Sequence, residues 1–442
     1  MKKIIKIILI FLLTCNCLFA EPESNKISLI RDTEIENYLK EISSPIFITA
    51  GLNPNDINFY IVSDSSINAF VMGGQNIFIN TGTLTKFDTP DVALGIIAHE
   101  TGHISAGHLA KTGENMSNLG IASIGSILLG IGALLAGVPE LGQAIIFGGM
   151  HVQQQSFLQY TRGQEEIADG LAIQYLNKNQ ISGNALLKSM DEFYIDELQY
   201  SGEMEYYSTH PLSRNRRDFI KNKIKKETFK NDNFNVKYRD KFNFIKAKIL
   251  AYQQLQDNNS NIIIKQKNSD YQTYANSIVN MNNNKANEAL KDINYLIEKY
   301  KSNPYFYEVK GDIYLKNNDV SNALINYNIA DGIIKNNTLI KTTISFIIIK
   351  YQQKERYQEA IDNLNFIIQK DSTDNSALKL LAEVYYKNNQ LALNYLTLAK
   401  YYTNTKEIDK VSKNLKLAKE NTKDKKILNQ IEDIELTMQI KK

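Results

Sequence analysis

The segment His99-Glu100-Thr101-Gly102-His103 constrains this chain most, because it combines a requirement on the fold with a requirement on the chemistry. The apolar run from Val92 to Ala98 precedes it, which is typical of a buried helix. Residues four apart in a helix share one face, so both imidazoles can reach one metal ion, and Glu100 can take a proton from an activated water. The pattern predicts a hydrolytic zinc site; the alternative is an amphipathic helix with two incidental histidines.

A catalytic zinc usually needs a third protein ligand. His108 is the nearest candidate, but an ideal helix places it about 140° around the axis from His103, so we expect it to point away and serve in packing. The ExxAD segment that contains Glu165 and Asp169 is the better candidate, because these two carboxylates share one helix face. One can bind the metal while the other holds a ligand histidine by its far nitrogen.

A fourth histidine, His210, lies in the segment Ser208-Thr209-His210-Pro211, where the proline favours an extended turn. Its imidazole can stabilise a developing oxyanion, or it can occupy the position of the water in a resting form. Arg216 follows six residues later and can assist. The alternative is an incidental loop histidine.

The order HExxH, ExxAD and then STHP with a following arginine resembles the M48 family of zinc metallopeptidases. The stretch from Asn68-Ala69-Phe70 to His108 is also similar to the start of that family's pattern. The resemblance implies a gluzincin-type site with one zinc ion per chain and the following roles: metal ligands His99, His103 and Glu165, general base Glu100, neighbouring carboxylate Asp169, a histidine near the zinc at His210, and the family's arginine at Arg216.

Three β-rich segments precede the metal helix, which is expected to begin near Pro90: Asn58–Val62, Ala69–Met72 and Asn76–Asn80. With Gly73-Gly74 as a turn, they predict a small sheet with a hairpin. An extended substrate can add as a strand to an edge formed near Phe70, Val71 and Met72, or near Ile77–Asn80. A site that binds its substrate in this way accepts unfolded segments with little preference for sequence.

Residues 240–442 contain no histidine and repeat a helical pattern. The spacing of a tetratricopeptide repeat is matched by Gly311, Tyr314, Ala323, Tyr327 and Ala330. Ala289 precedes Ala323 by the 34-residue period of such repeats, and Ala360 follows in near phase. Four to five helical pairs are expected, with Asn394 standing where an alanine is usual. An unrelated helical bundle is the alternative.

The expected fold class is therefore α+β and mostly helical. A gluzincin-type metallopeptidase domain with a small β-sheet over residues 21–230 precedes an α-solenoid of tetratricopeptide repeats over residues 231–442. Residues 1–20 have the basic start, the apolar stretch and the terminal Ala20 of a cleaved signal peptide. A lipoprotein modified at Cys15 and an uncleaved membrane anchor are the alternatives.

The composition limits which cellular compartments and which binding partners are expected for this chain. Both cysteines, Cys15 and Cys17, lie in the expected leader, so the mature chain has no disulfide and no cysteine metal site. The chain has 51 basic and 48 acidic residues, and loss of Lys2, Lys3 and Lys6 balances them. A net-neutral protein is a poor nucleic-acid binder, so no nucleic acid is expected as a partner.

The stretch from Gly120 to Gly137 is apolar and rich in glycine. Its length is just enough to cross a bilayer, but its glycines and serines weaken that interpretation. We expect residues 120–137 to form a mobile apolar hairpin that covers the active site or makes peripheral contact with a membrane. A true membrane span is the alternative.

The family resemblance, taken together with the expected leader and repeats, implies a periplasmic, zinc-dependent endopeptidase of the bacterial cell envelope. It also implies that the substrates are misfolded or stalled envelope and outer-membrane proteins, and that the repeats contact these or the machinery that assembles outer-membrane β-barrels. An alternative is a chaperone-like assembly adaptor that acts mainly through its repeats, with a restrained peptidase site. A third hypothesis is an inner-membrane protease that uses residues 1–20 and 120–137 as spans.

Overall fold

The computed structural model describes residues 29–72, 75–108, 160–199, 210, 214–256 and 269–440. Four short strands lie near the start and are followed by a long helical array, which confirms the predicted α+β, mostly helical class. The expected leader, the Gly73-Gly74 turn and the apolar stretch 120–137 lie outside these residues. Within them, every helix falls short of the length or the apolar character that crossing a bilayer would require.

The sheet contains strands β1 (Leu29–Ile30), β2 (Asn58–Val62), β3 (Ala69–Met72) and β4 (Asn76–Asn80) in the order β1-β2-β4-β3. Strands β3 and β4 form the predicted antiparallel hairpin, whereas β2 and β4 run parallel. Strand β3 is therefore an edge, as predicted for Phe70–Met72. The alternative edge at Ile77–Asn80 is wrong, because β4 lies between β2 and β3 and hydrogen-bonds to both.

The first three helices are α1 (Thr33–Thr49), α2 (Thr81–Thr85) and α3 (Pro90–Ser105). Helix α1 begins at Asp32, whose side chain accepts a hydrogen bond from the Ile35 amide at 3.0 Å. Helix α3 begins at the predicted proline and is buried from Pro90 to His103. A helix that is apolar all round must lie inside a domain, so α3 is the central element that carries the HExxH segment.

Helix α3 is followed by α4 (Arg162–Lys178), α5 (Asn184–Gln199) and α6 (Arg214–Ile224). Two glycines let α3 lie very close to its neighbours. A Cβ atom on Gly102 would stand 2.8 Å from the Ala168 carbonyl oxygen on α4, and one on Gly95 would stand 2.6 Å from the Leu186 amide nitrogen on α5. This close approach brings the HExxH and ExxAD segments side by side.

Helix α7 (Asp232–Gln256) begins just after the predicted domain boundary at residue 230 and belongs to two hydrophobic cores. Phe242 and Ile245 pack with α1 and α3 in the core of the N-terminal region. Phe244 and Ala247 pack instead with the helices that follow. The two predicted regions therefore share this helix.

Residues 269–440 form ten helices that pack on their sequence neighbours. Their bounds are α8 (Ser269–Asn282), α9 (Ala286–Lys299), α10 (Pro304–Lys316), α11 (Val320–Ile334), α12 (Thr338–Lys350), α13 (Tyr357–Lys370), α14 (Asn375–Lys387), α15 (Leu391–Asn404), α16 (Ile408–Glu420) and α17 (Lys425–Ile440). A Cβ atom on Gly311 would lie 3.0 Å from the Tyr327 ring, so this glycine lets α10 and α11 meet. The amide of Asn394 donates to the Ala382 carbonyl oxygen at 2.8 Å, which explains its place at an alanine position.

Candidate metal centre

Helices α3 and α4 bring three predicted ligands together in a buried space. The Nε2 atoms of His99 and His103 lie 3.1 Å apart. The carboxylate of Glu165 faces both of them, at 3.4 Å from His99 Nε2 and 3.3 Å from His103 Nε2. All three side chains are almost completely buried. The two helical motifs thus meet in one buried space.

His210 joins this group from a different part of the chain. Its Nδ1 atom lies 3.0 Å from Glu165 Oε1 and 3.4 Å from His99 Nε2. One ligand atom from each of His99, His103, Glu165 and His210 lies within 4.8 Å of the others. The geometry brings His210 as close to the centre as the three expected ligands.

The residues fit a divalent metal ion. Imidazole nitrogens and a carboxylate oxygen are the donors that zinc takes in catalytic sites. Among the described residues, neither carboxylate oxygen of Glu100 has a hydrogen-bond partner, although the side chain is fully buried. Buried carboxylate oxygens without partners are costly, and a nearby cation relieves that cost.

A set of charged groups supports the candidate ligands from behind. Asp169 Oδ1 lies 2.9 Å from His99 Nδ1, so the second ExxAD carboxylate faces the far nitrogen of a ligand candidate. The guanidinium of Arg216 donates two hydrogen bonds to Asp169, at 2.8 and 2.9 Å, and lies 2.5 Å from Glu165. This placement favours a positioning role for Arg216 over the predicted contact with an oxyanion.

The pKa values of the two central carboxyl groups diverge. Burial raises the pKa of Glu100 above its ordinary value, although nearby His210 and His99 oppose the shift. Burial also acts to raise the pKa of Glu165, but the charge of His210 and hydrogen bonds from three histidines lower it well below its usual range. A pair of this kind separates a group that can carry a proton from a group that stays ionised.

The environment of His99 favours its charged form when no cation is present. Burial alone would lower its pKa, but hydrogen bonds and charges from Asp169 and Glu165 outweigh burial and raise the pKa to about 10. The carboxylates of Asp169 and Glu165 thus favour a positive charge at the position of His99.

The predicted direction of His108 is wrong. An ideal helix would turn it away from His103, but α3 ends at Ser105 and Gly107 takes a left-handed backbone conformation with φ of 66°. The chain reverses there, and His108 Nδ1 comes to 2.9 Å from His103 Nδ1. His108 is not among the clustered ligand atoms, so it supports His103 from outside the centre.

Tyr160 is a site residue that the sequence reasoning missed. Its ring stacks on the His103 ring with centroids 3.7 Å apart and planes 23° apart, and its centroid is 5.3 Å from that of His210. It precedes the capping box that Thr161 and Gln164 form at the start of α4. That pattern indicates the start of a helix, but it does not predict the contact of Tyr160 with His103.

The predicted substrate strand contacts the helix that carries the two histidines. Strand β3, with Phe70, Val71 and Met72, packs against α3, the helix that carries His99 and His103. Ser208, Thr209 and Pro211, which flank His210 in the sequence, lie outside the described residues. An edge strand therefore runs beside the metal helix.

Comparison with known proteins agrees with this geometry. Residues 31–224 match the family model for peptidase family M48. The β-barrel assembly-enhancing protease of Escherichia coli (strain K12) is 23% identical over 369 residues, which cover 80% of this chain and 72% of that protein. This match is longer than residues 31–224 and extends beyond the peptidase region into the helical array.

Two other relatives match over shorter stretches. Metalloprotease LoiP of Escherichia coli (strain K12) is 23% identical over 184 residues, or 40% of this chain and 67% of that protein. The mitochondrial metalloendopeptidase OMA1 of Schizosaccharomyces pombe is 24% identical over 179 residues, or 40% of this chain and 50% of that protein.

Proposed function

Since residues 31–224 form a peptidase family M48 domain and the chain is a metalloendopeptidase, we propose that it is a zinc-dependent enzyme of the bacterial cell envelope. The carrying observation is the buried cluster of His99, His103, Glu165 and His210 within 4.8 Å, beside a Glu100 carboxylate that has no hydrogen-bond partner among the described residues. Ligand atoms and a proton acceptor thus occupy one buried space, which is the minimum needed for hydrolysis.

His99, His103 and Glu165 hold the metal in this proposal. A bound zinc ion supplies a Lewis acid that acidifies water and polarises a peptide carbonyl. Asp169 holds His99 in the orientation that directs Nε2 to the centre, and Arg216 keeps Asp169 and Glu165 ionised and in place. Asp169 and Arg216 therefore fix both the direction and the charge of the metal ligands that they contact.

Glu100 acts as the general base. Because burial raises its pKa, its carboxylate has a higher affinity for a proton than an exposed glutamate, which suits a group that accepts a proton from water and returns it to the leaving amine. His210 Nε2 lies 3.5 Å from Glu100 Oε1. His210 can therefore donate to the oxygen that becomes negatively charged beside Glu100.

We propose unfolded segments of misfolded or stalled envelope and outer-membrane proteins as substrates. An extended segment would pair with the edge strand β3 through backbone hydrogen bonds, which select for an extended conformation more than for sequence. The relative that matches 80% of this chain is named for enhancing β-barrel assembly, which supports a periplasmic location. The helical array, proposed as tetratricopeptide repeats, would bind these substrates or the assembly machinery.

The alternative, a chaperone-like adaptor with a restrained site, has one observation in its favour. His210 Nδ1 lies within the ligand cluster, so His210 can complete a closed four-ligand set of the kind found in structural zinc sites. A closed set leaves no position for water. In that case the array would carry the function and proteolysis would be slow.

The test compares the wild type with Glu100→Gln on a radiolabelled, unfolded outer-membrane β-barrel protein. The enzyme proposal predicts cleavage by the zinc-loaded wild type and a loss of about 1,000-fold or more in the variant, because the general base is removed. Glu166→Gln is the matched control, since Glu166 is the exposed neighbour of Glu165. Equal cleavage by Glu100→Gln, with zinc bound and the fold intact, contradicts the proposal.

The same experiment separates the two functions. An adaptor slows aggregation of the unfolded β-barrel protein equally well as wild type and as Glu100→Gln, and cleaves it in neither form. An enzyme leaves fragments with the wild type only. Light scattering and gel analysis of one reaction give both readouts.

A further inference from the structure

The hydroxyl group of Tyr160 has no assigned role, and its surroundings make that unusual. The side chain is only 5% exposed, and among the described residues its oxygen has no hydrogen-bond partner. Buried tyrosine hydroxyls usually find a partner, because a buried polar group without one loses the hydrogen bonds it made to water. An unpaired hydroxyl at a reaction centre is explained when its partner arrives with the substrate.

The ring of Tyr160 is held in place beside the candidate ligands. It stacks on His103 at 3.7 Å between centroids and lies 5.3 Å from the ring of His210. Stacking fixes the plane of the ring, so the hydroxyl has a defined position relative to the centre without any hydrogen bond of its own. Its direction is set before a substrate binds.

The hydroxyl of a tyrosine can donate a hydrogen bond as well as accept one. The hydroxyl of Tyr160 is therefore available as a donor to an oxygen that gains negative charge beside the centre.

We propose that Tyr160 is a catalytic residue whose hydroxyl donates a hydrogen bond to the scissile carbonyl oxygen as that oxygen becomes negatively charged. This inference rests on the proposed peptidase function. Together with His210, Tyr160 then supplies two donors on the same side of the reacting carbonyl, one imidazole and one phenol. No proton leaves Tyr160 during the reaction, so Tyr160 stabilises charge and does not exchange with the Glu100 proton.

The test uses Tyr160→Phe in the full chain, with Tyr175→Phe as the matched control. Phenylalanine at 160 retains the ring on His103 and removes only the hydroxyl. Tyr175 is a similarly buried tyrosine on α4, but its hydroxyl already bonds to Ser105 at 2.9 Å. Its loss should lower the melting temperature and leave kcat unchanged.

For Tyr160→Phe we expect kcat on an unfolded polypeptide to fall about 100-fold with little change in KM, as for removal of one oxyanion donor. A phosphinic peptide, whose charged oxygens imitate the oxyanion, should bind the zinc-loaded variant more weakly by a similar factor in calorimetry. Zinc affinity, measured by competition with a chelator, should match that of the wild type.

Two results would overturn the inference. Wild-type values of kcat and of phosphinic-peptide affinity in Tyr160→Phe would show that the hydroxyl is not used. A loss of zinc from Tyr160→Phe would show that the hydroxyl supports the ligands instead. If the wild type itself fails to cleave, the proposed function fails and takes this inference with it; if only Tyr160→Phe behaves as the wild type, this inference fails alone.

Discussion

The Nδ1 atoms of His103 and His108 lie 2.9 Å apart at the end of the metal helix. A hydrogen bond between two imidazole nitrogens uses one proton. When His103 donates that proton through Nδ1, its Nε2 carries none and can bind a metal. In that arrangement His108 holds the tautomer of His103 that the centre needs, as Asp169 does for His99.

Replacing His108 by alanine should lower zinc affinity about 10–100-fold, because the orientation and the tautomer of His103 are no longer fixed. Competition with a chromophoric chelator measures this change. His108→Asn, which retains an acceptor oxygen, should recover part of the affinity. Wild-type zinc binding by His108→Ala would show that the stack of Tyr160 on His103 is sufficient to hold the ring.

Gly102→Ala should separate the two motif helices. The added Cβ would stand 2.8 Å from the Ala168 backbone oxygen, and neither helix backbone can move without disturbing the ligands. Overpacking of this kind costs about 1–3 kcal/mol in the free energy of unfolding. Zinc affinity should fall as well, since Glu165 and His99 lie on opposite sides of the contact.

The matched control for that change is Gly163→Ala. Gly163 is exposed at the start of α4 and has no atom within 4 Å of an added Cβ. Alanine there should raise the free energy of unfolding by up to about 1 kcal/mol through helix propensity. Urea unfolding measures the change in the free energy of unfolding for each variant. The two changes have opposite signs if the contact between α3 and α4 causes the loss in Gly102→Ala, and the same sign if it does not.

Lys248→Met should destabilise the junction between the peptidase region and the array. Lys248 on α7 is buried, and its ammonium lies 2.6 Å from Asp32 and 3.3 Å from Glu34. The Tyr274 hydroxyl on α8 also donates to Glu34, at 2.7 Å. Removing the cation leaves the carboxylates of Asp32 and Glu34 without their counter-charge, which costs about 3–5 kcal/mol in the free energy of unfolding.

Lys241→Met is the control for this variant. It is on the same helix and pairs with Glu41 at 2.6 Å, but the two side chains are 56% and 41% exposed. An exposed pair contributes about 0–1 kcal/mol, so unfolding in urea should change little. Similar decreases in the free energy of unfolding for Lys248→Met and Lys241→Met would mean that burial does not control the strength of the ion pair at Lys248.

Asp312→Asn should change how stability depends on pH. Burial raises the pKa of Asp312 from 3.8 to about 6, with Asp32 adding to the shift and the Tyr327 hydroxyl and Lys248 opposing it. Between these pH values the native state binds more protons than the unfolded state, so this aspartate lowers stability as pH rises from about 4 to about 6.

The asparagine variant lacks that titration. Its stability advantage over the wild type should grow between about pH 4 and about pH 6 and then stay constant, because Asp312 is ionised in both states above that window. Urea unfolding at a series of pH values measures the difference. The substituted side chain retains an oxygen that can accept from the Tyr327 hydroxyl, so a constant difference across the series would contradict the assigned pKa.

The parts of the fold that follow from local patterns were predictable. The proline at the start of α3, the hairpin of β3 and β4, and the i, i+4 spacing within HExxH and ExxAD each specify a geometry within a few residues. The pairing of Glu165 with two histidines followed from that spacing once the two helices were assumed to meet. The family resemblance supplied that assumption.

The parts that depend on the path of the chain were not predictable. The direction of His108 depends on where α3 stops, and the positive φ of Gly107 gives no signal in periodicity. The contact of Tyr160 with His103 joins residues from separate segments. Strand β1 contains only two residues, which is too short for an alternating pattern to show.

The helix shared by the two cores restricts how such a chain can be altered by recombination. On α7, Phe242 is buried in the core of the N-terminal region and Phe244 in the core of the array. A crossover between relatives within Asp232–Gln256 would combine one part of the helix from one relative with the other part from another. The side chains on α7 would then no longer match both cores, and an apolar face would be exposed. Exchange of one helical array for another is therefore open only to sequences that inherit α7 whole, together with the peptidase residues it covers.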